Sequence, residues 1–273
     1  MNLPLEITGL TKVFDTDAGP FVAVQDFNAK IEIGDFVCLL GHSGCGKSTI
    51  LSILAGLEQA TIGGVCIDGK EVNTPGTDRG VVFQAPCLLP WLTAEKNVAL
   101  AAGQAFPKSS NKERKERARK YLEMLGVGEF CDQTPAELSL GTQQRVSLAR
   151  ALVLEPRFLL LDEPFGMLDS LTRFDLQDTL LQVWEQTRKT VVMVTHDIDE
   201  ALYLANHILL MTDGPAGRLG KIMRVPFARP RDRAEVLKRP DYYSLRTGVI
   251  EFLEDHAQPS ANRWTPDAMV AIQ

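Results

Sequence analysis

The sequence predicts an α/β fold built on a largely parallel sheet that helices cover on both sides. Short apolar runs at 36–40, 158–161 and 191–194 have the length and composition of buried strands. Helical patterns lie between these runs, and such alternation favours parallel strands joined by crossover helices. The chain has 273 residues, of which 45% are hydrophobic, enough to form a full core.

Each predicted element follows from local composition and turn residues. The predicted strands are 21–24, 29–33, 36–40, 65–67, 80–83, 158–161 and 191–194. The predicted helices are 47–57, a helical region over 93–150, about 171–188, and a weakly helical stretch that ends at 254. The charged run at 112–120 is interpreted as a solvated helix face rather than an interaction tail.

Charge and composition exclude several classes of protein. Lys plus Arg is 29 and Asp plus Glu is 35, so the net charge is 29 − 35 = −6, which argues against general nucleic-acid binding. The first ten residues lack the basic start and apolar run of a signal peptide, and no apolar run could span a bilayer. Five cysteines lack zinc-ligand spacing, and three of them lie in apolar stretches, which indicates buried free thiols in a reducing compartment. We therefore expect a soluble cytoplasmic protein.

Residues 41–48, GHSGCGKS, match the phosphate-loop pattern in full. Glycines let the backbone direct its N–H groups toward a phosphate, and the following helix points its positive end there. Lys47 can reach the outer phosphates, and Ser48 offers a hydroxyl to Mg²⁺. A glycine-rich turn without a ligand is the alternative, which the strand before and the helix after disfavour.

The strand at 158–161 ends in two acids, Asp162 and Glu163. Both carboxylates should therefore lie at the sheet edge where open α/β sheets bind ligands. Asp162 would support a Mg²⁺ shell, and Glu163 would act as general base toward the attacking water. Alone, the pair could be an ordinary strand end, but a preceding phosphate loop favours the catalytic interpretation.

With these motifs in place, the chain resembles the nucleotide-binding subunits of ATP-binding-cassette (ABC) transporters from about residue 5 to 213. The segment LSLGTQQR at 138–145 resembles the family signature, and MLD at 167–169 resembles the D-loop. Gln84 resembles the Q-loop glutamine, His196 the switch histidine, and Phe14 the aromatic that stacks on adenine. A lone histidine or phenylalanine would be interpreted as an ordinary core or surface residue, but the order of these motifs reverses that interpretation for His196.

The resemblance implies an ABC-type phosphate-loop NTPase with a RecA-like parallel-sheet core, an antiparallel β subdomain and an inserted helical signature subdomain. The implied boundaries are 1–84 and 152–213 for the core, 85–151 for the helical subdomain, and 214–273 for a C-terminal extension that is flexible from about 259. ATP and Mg²⁺ are the implied cofactors. The implied partners are membrane permease subunits at the cytoplasmic face of the membrane, a second identical or related cassette and, indirectly, an external solute-binding protein; nucleic acid is not among them.

The resemblance also assigns roles to individual residues. The implied catalytic residues are Glu163, His196, Lys47 and Gln84. The implied metal-binding residues are Ser48, Gln84 and Asp162. The implied nucleotide-binding residues are Phe14, Gly41, His42, Ser43, Gly44, Cys45, Gly46, Lys47, Ser48, Thr49, Ser139, Gly141, Gln143 and Asp169.

Within the family, the segments at 38–46, 88–93, 211–215 and 229–231 are most similar to the importers of nitrate, nitrite and bicarbonate and to their taurine and sulfonate relatives. Nitrate or nitrite import is the first choice. Two residues depart from the family pattern, because Leu140 stands where glycine is usual and Met167 where a small residue is usual. Both positions are expected where two cassettes meet.

Two other classes of function remain alternatives. A soluble ABC protein could act as a switch on nucleic acid or ribosomes, but such relatives usually carry two cassettes or a long coiled-coil insert. A nucleotide sensor without turnover would be expected to lack Glu163 or His196, and both are present.

Overall fold

The computed structural model describes residues 4–257, which form ten strands and eight α-helices. The strands are β1 (Leu5–Thr16), β2 (Gly19–Ile31), β3 (Phe36–Leu40), β4 (Ile62–Ile67), β5 (Lys70–Glu71), β6 (Arg79–Val82), β7 (Phe158–Asp162), β8 (Thr190–Thr195), β9 (His207–Met211) and β10 (Leu219–Arg224). The helices are α1 (Lys47–Ala55), α2 (Ala94–Ala105), α3 (Asn111–Met124), α4 (Leu140–Leu152), α5 (Ser170–Thr187), α6 (Ile198–Leu204), α7 (Arg233–Leu237) and α8 (Pro240–Asp255).

Two sheets organise these elements. The central sheet has the order β10-β9-β3-β8-β7-β6, in which the last five strands are parallel and β10 pairs antiparallel with β9. The second sheet is antiparallel, with the order β2-β1-β4-β5. The predicted parallel sheet and antiparallel β subdomain are thus confirmed.

Side chains of β3 alternate between two cores, as the pleat of a strand requires. Val37 and Leu39 join the core that includes α1 and the antiparallel sheet, whereas Cys38 and Leu40 join the core formed with α2–α6 and α8. Phe36 packs edge-on against Trp184 of α5, with ring centroids 5.9 Å apart. Helices therefore cover one face of the central sheet, while α1 and the second sheet cover the other.

Strands β3, β7 and β8 and helices α1 and α5 lie where the sequence predicts them, but the interior strands β1 and β9, the edge strand β10 and the buried helix α6 were not predicted. No strand was predicted over β1, and the runs predicted at 21–24 and 29–33 are parts of the single strand β2, in which Asp26 has φ 48°. The helical region at 93–150 is three helices, α2, α3 and α4. Strand β10 was not predicted, since its residues are mostly exposed and carry no apolar run.

The proposed C-terminal extension therefore supplies the sixth strand of the central sheet as well as α7 and α8. The division of the chain at 84, 151 and 213 stays a prediction. The predicted flexible tail from about 259 lies outside the described residues. All five cysteines are free, and Cys38, Cys45 and Cys131 are buried.

Candidate functional site

Four parallel strands deliver polar side chains to one edge of the central sheet. The phosphate loop follows β3, Gln84 follows β6, Glu163 follows β7 and His196 follows β8. Because these strands run in the same direction, their carboxyl ends meet where α/β sheets bind ligands. Residues that are far apart in the sequence are thereby brought together.

The phosphate loop turns sharply at its glycines before α1 begins. Gly46 is the N-cap of α1 at φ 100°, and a Cβ there would lie 2.5 Å from Val24 Cγ2. Only glycine combines this conformation with such close packing. The helix has no acidic residue in its first turn, so its N-terminal N–H groups keep their positive potential.

Lys47 is buried and folds back over the loop. Its Nζ donates to the carbonyl oxygens of Gly41 and His42, at 2.7 and 2.8 Å. His42 itself contacts Asp213 beyond β9, with Nδ1 2.8 Å from Oδ1. The loop is thus held in shape from within by an ammonium and from outside by a carboxylate.

Ser48 and Asp162 form the pair expected for a metal ion. The Ser48 hydroxyl donates to Asp162 Oδ1 at 3.0 Å. Burial raises the pKa of Asp162, and the neighbouring Glu163 raises it further, while the Ser48 hydrogen bond and Lys47 oppose the shift. The carboxylate is thus desolvated, a state in which a nearby cation would stabilise its charge.

Glu163 lies between Gln84 and His196. The Gln84 amide donates to Glu163 Oε2 at 3.3 Å, and His196 Nδ1 lies 3.3 Å from the same oxygen. The Glu163 backbone is left-handed, at φ 44°, a conformation that costs a non-glycine residue about 1–2 kcal/mol.

Two residues of α4 hold the loop around Gln84, namely Gln144 within the signature segment and Arg150 beyond it. The buried Gln144 donates to the carbonyl of Phe83 at 3.1 Å. Arg150 donates to the carbonyls of Cys87 and Pro86, at 2.6 and 3.0 Å. Their partners are backbone carbonyl oxygens, which every residue possesses. The sequence therefore does not identify this link between the loop around Gln84, which we call the glutamine loop, and helix α4.

The signature segment opens α4 as expected. Ser139 is the N-cap, and its hydroxyl accepts from the N–H of Thr142 at 3.2 Å. A Cβ at Gly141 would lie 2.4 Å from Thr172 Cγ2, so glycine permits the close approach of α4 to α5. Leu140 is partly buried and packs against the core that includes α2–α6.

Several predicted site residues have other contacts in the single chain. The Gln143 amide donates to the carbonyls of Pro135 and Leu138, and Asp169 caps α5 by accepting from two backbone N–H groups. Phe14 is partly buried, with Lys12 Nζ 4.7 Å from its ring centroid. Ser43 and Gly44 are exposed loop residues, Thr49 is half-buried in α1, and Cys45 is buried.

Comparison with known proteins agrees with this geometry. The family model described as ABC transporter matches residues 24–166, more than half of the chain. The chain belongs to the ABC transporter family. The cassette of this family binds ATP, and the matched region contains the phosphate loop, the signature and the acid pair.

Individual ABC relatives cover almost the whole chain. The nitrate import ATP-binding protein NrtD of Synechococcus elongatus is 48% identical over 242 residues, 89% of this chain and 88% of that protein. The bicarbonate transport ATP-binding protein CmpD of the same organism is 45% identical over 249 residues, 91% of this chain and 90% of that protein.

A solved structure of the family shares the fold. The dimeric ATP-binding cassette MJ0796, in a post-hydrolysis state bound to ADP and Pi, is 34% identical with a TM-score of 0.71, and the match covers 82% of this chain and 100% of that one. Among residues 4–257, no helix is both long and apolar enough to cross a membrane.

Proposed function

We propose that this chain is the ATP-hydrolysing subunit of an importer for a small inorganic anion, with nitrate or nitrite as the first choice. The observation that carries the proposal is the cluster at one sheet edge, where Ser48 meets Asp162 and Glu163 lies between Gln84 and His196. The chemistry of that cluster is phosphoryl transfer to water.

Phosphate binding falls to the loop and to Lys47. The loop N–H groups and the N-terminus of α1 would surround the β-phosphate. Lys47 now donates to the carbonyls of Gly41 and His42, and it would add the outer phosphates as partners. Because its ammonium already lies within the loop, little side-chain entropy remains to be lost on binding. Phe14 would offer its ring to the adenine, opposite the face that Lys12 approaches.

The donors around Ser48 fit Mg²⁺. A hydroxyl and a carboxylate 3.0 Å apart, with the Gln84 amide oxygen as a third candidate, are the hard oxygen ligands that Mg²⁺ prefers. Among the described residues, no three His, Cys, Asp or Glu side chains are grouped as a metal site. Phosphate oxygens and water would therefore complete the shell. When bound, the ion would neutralise charge on the transferring phosphoryl group.

Glu163 is the proposed general base. Its Oε2 has Gln84 on one side and His196 on the other, so the carboxylate is fixed in direction before water arrives. His196 is mostly exposed, which leaves its ring free to reach a γ-phosphate as well as Glu163. Water would attack the γ-phosphorus as its proton passes to Glu163, and the bond from the γ-phosphorus to the bridging oxygen would break to give ADP and inorganic phosphate.

A second cassette would complete the site. Ser139 and the N–H of Gly141 lie at the N-terminus of α4, where they would contact the γ-phosphate held by the partner. Asp169 and the exposed Met167 lie in the turn before α5, which would meet the same partner. The related cassette MJ0796 is dimeric, which supports this arrangement.

This chain has a groove beside the glutamine loop that could receive a helix of the membrane partner. This partner groove has a volume of about 470 Å³ and lies between the edge strand β6 and helices α2 and α4, with Phe83 and Val81 on one wall and Ala101 and Leu154 on the other. Phe83 directly precedes Gln84, so a permease helix seated there would touch the catalytic loop. We propose that segment 84–91, which continues the chain from Phe83, also takes part in this contact. Leu88 packs against the core, whereas Trp91 is 72% exposed.

The groove can be tested separately from catalysis. Phe83→Glu should weaken co-purification with the membrane subunits, because a carboxylate would be buried against an apolar helix. Ile222→Glu is the matched control, since Ile222 is also exposed but lies on the opposite edge strand, β10. Equal assembly of both variants would place the permease elsewhere.

Solute identity is tested on the assembled complex at the cytoplasmic face of the membrane. Membrane subunits that co-purify with the full-length chain should be reconstituted in vesicles with their external solute-binding protein. Uptake of labelled nitrate, nitrite, bicarbonate and taurine is then compared. ATP-dependent uptake of nitrate or nitrite supports the proposal. Bicarbonate uptake would favour the second candidate, which rests on the CmpD relatives at 45–46% identity. Taurine uptake would favour the sulfonate branch.

A further inference from the structure

The C-terminal segment 225–255 packs around α6, the short helix that begins two residues after His196. Three sets of contacts tie this segment to the two ends and one side of α6. They connect residues separated by 25 to 59 positions in the sequence and involve four arginines and one tyrosine.

The first contact holds the C-terminal end of α6. Arg231 is 7% exposed and donates to the carbonyls of Tyr203 and Ala205, at 2.6 and 2.8 Å. Arg229 donates to the carbonyl of Leu204 and lies over the Trp184 ring, 4.4 Å from its centroid. The last carbonyls of a helix have no partner within it, so these guanidinium groups complete the end of α6.

The second contact holds the N-terminal end. The Tyr242 hydroxyl and Arg246 Nε donate to the same oxygen of Asp199, at 2.7 and 2.9 Å. Asp199 is in the first turn of α6, which the cap residue Asp197 opens. Helix α8 is thereby fixed to the start of α6.

The third contact is a chain of hydrogen bonds that begins at Arg233 and ends at the residues flanking His196. Arg233 donates to Gln177 Oε1 at 2.9 Å, with its guanidinium over the rings of Tyr203 and Phe174. Gln177 donates to the buried carboxylate of Glu200 at 3.0 Å.

Glu200 is linked to Thr195 and, through Thr195, to Asp197, the two residues that flank His196. Its other oxygen accepts from the Thr195 hydroxyl at 2.7 Å, and that hydroxyl accepts from the N–H of Asp197 at 3.0 Å. Hydrogen bonds thus connect Arg233, through Gln177 and Glu200, to the residues on either side of His196.

We propose that segment 225–255 is a clamp that positions His196, with Arg233 and Tyr242 as positioning residues that act through Glu200 and Asp199. The proposal rests on the proposed function only in so far as it links the position of His196 to ATP turnover. A shift of the clamp would move His196 relative to Glu163 without touching the phosphate loop. The clamp should therefore affect the rate of the chemical step and not the binding of ATP.

The test uses the purified full-length chain, Arg233→Gln and Tyr242→Phe, with Lys238→Ala as matched control. Lys238 is an exposed cation just after α7 that pairs with Glu235 of the same segment. The chain has four histidines, so their imidazole NMR signals can be assigned by substitution. We expect both variants to move the His196 signals and leave those of His42 and His207 in place. We also expect kcat to fall by about fivefold or more while KM for ATP stays within about twofold.

Unmoved His196 signals in folded Arg233→Gln and Tyr242→Phe would overturn the clamp. Moved signals with an unchanged kcat would overturn its link to turnover. If Arg233→Gln does not fold, Tyr242→Phe still carries the test, because it removes only one hydroxyl. His196→Ala separates the two proposals: full turnover in that variant would reject the catalytic role of His196, while the NMR signals would still decide the clamp.

Discussion

The proposed phosphate-binding edge and the proposed C-terminal clamp hold their side chains by different means. At the edge, strand ends and a glycine-rich loop place Lys47, Ser48, Asp162 and Glu163, and each position follows from a short local motif. In the clamp, guanidinium groups such as that of Arg231 contact backbone carbonyls of a helix about 26 residues earlier. The first region is specified by sequence pattern, and the second by tertiary packing.

The largest expected effect tests the edge. Glu163→Gln keeps the shape of the side chain and can still contact Gln84 and His196, but it cannot accept a proton. Turnover should fall by about 10²–10⁴-fold, the usual loss for a general base. ATP binding, measured with a fluorescent analogue, should remain intact. Steady-state turnover at the wild-type rate would remove Glu163 from its proposed role.

The clamp should respond in stability to the loss of its buried arginine. Arg231→Leu removes the donors to the carbonyls of Tyr203 and Ala205, and a buried carbonyl without a partner costs about 1–3 kcal/mol. We expect the free energy of unfolding to fall by about 4 kcal/mol, measured by urea denaturation. Arg239→Leu is the control, because Arg239 pairs with the exposed Asp241 and lies over the Phe227 ring. Similar losses in both variants would contradict a special role for the carbonyl contacts.

These two regions also show how far the sequence could be interpreted. The buried strands 36–40, 158–161 and 191–194 were predictable because short apolar runs between turn residues are typical of strands inside a parallel sheet. The phosphate loop was predictable because its glycines and lysine have a fixed spacing. Strand β10 was missed because an exposed edge strand needs no apolar run.

Residues that act on backbone groups could not be predicted at all. Gln144, Arg150 and Arg231 bind carbonyl oxygens, which every residue possesses, so their partners cannot be identified from sequence. The role of Glu200 could not be predicted either. Its buried carboxylate is recognised as a link only because the structure shows Thr195 and Gln177 donating to it. The motifs predicted the groups proposed for catalysis, and the structure adds the groups that hold them.

Glu200 should make the stability of the protein depend on pH. Burial raises the pKa of Glu200 to about 7, with Asp197 adding to the shift and the Thr195 and Gln177 hydrogen bonds and Arg173 opposing it. The folded state therefore binds this proton more tightly than the unfolded state, so the associated stability is present below about pH 4.5 and is lost as pH rises to about 7. Urea denaturation at pH 5 and at pH 8 measures this effect. Between these two pH values, the free energy of unfolding of the wild type should fall by up to about 3 kcal/mol relative to that of Glu200→Gln. A difference between the two proteins that does not change with pH would show that Glu200 titrates normally.

The smallest expected effect concerns Leu140, at the end of the site that a second cassette would approach. Glycine at a helix N-terminus lets backbone approach a phosphate closely, whereas leucine adds a bulky side chain. In this chain the Leu140 side chain packs against the core, and Ser139 and Gly141 keep the hydroxyl and the close-approach N–H. Leu140→Gly in the assembled transporter should therefore change the ATPase rate by less than about twofold, apart from a small loss of helix stability of about 1 kcal/mol. If the second cassette is a different chain, Leu140 faces the ATP of that chain, so the rate should be measured on the whole complex. A tenfold rise, about 1.4 kcal/mol of barrier, would show that the leucine obstructs closure and that its packing in the single chain does not persist in the dimer.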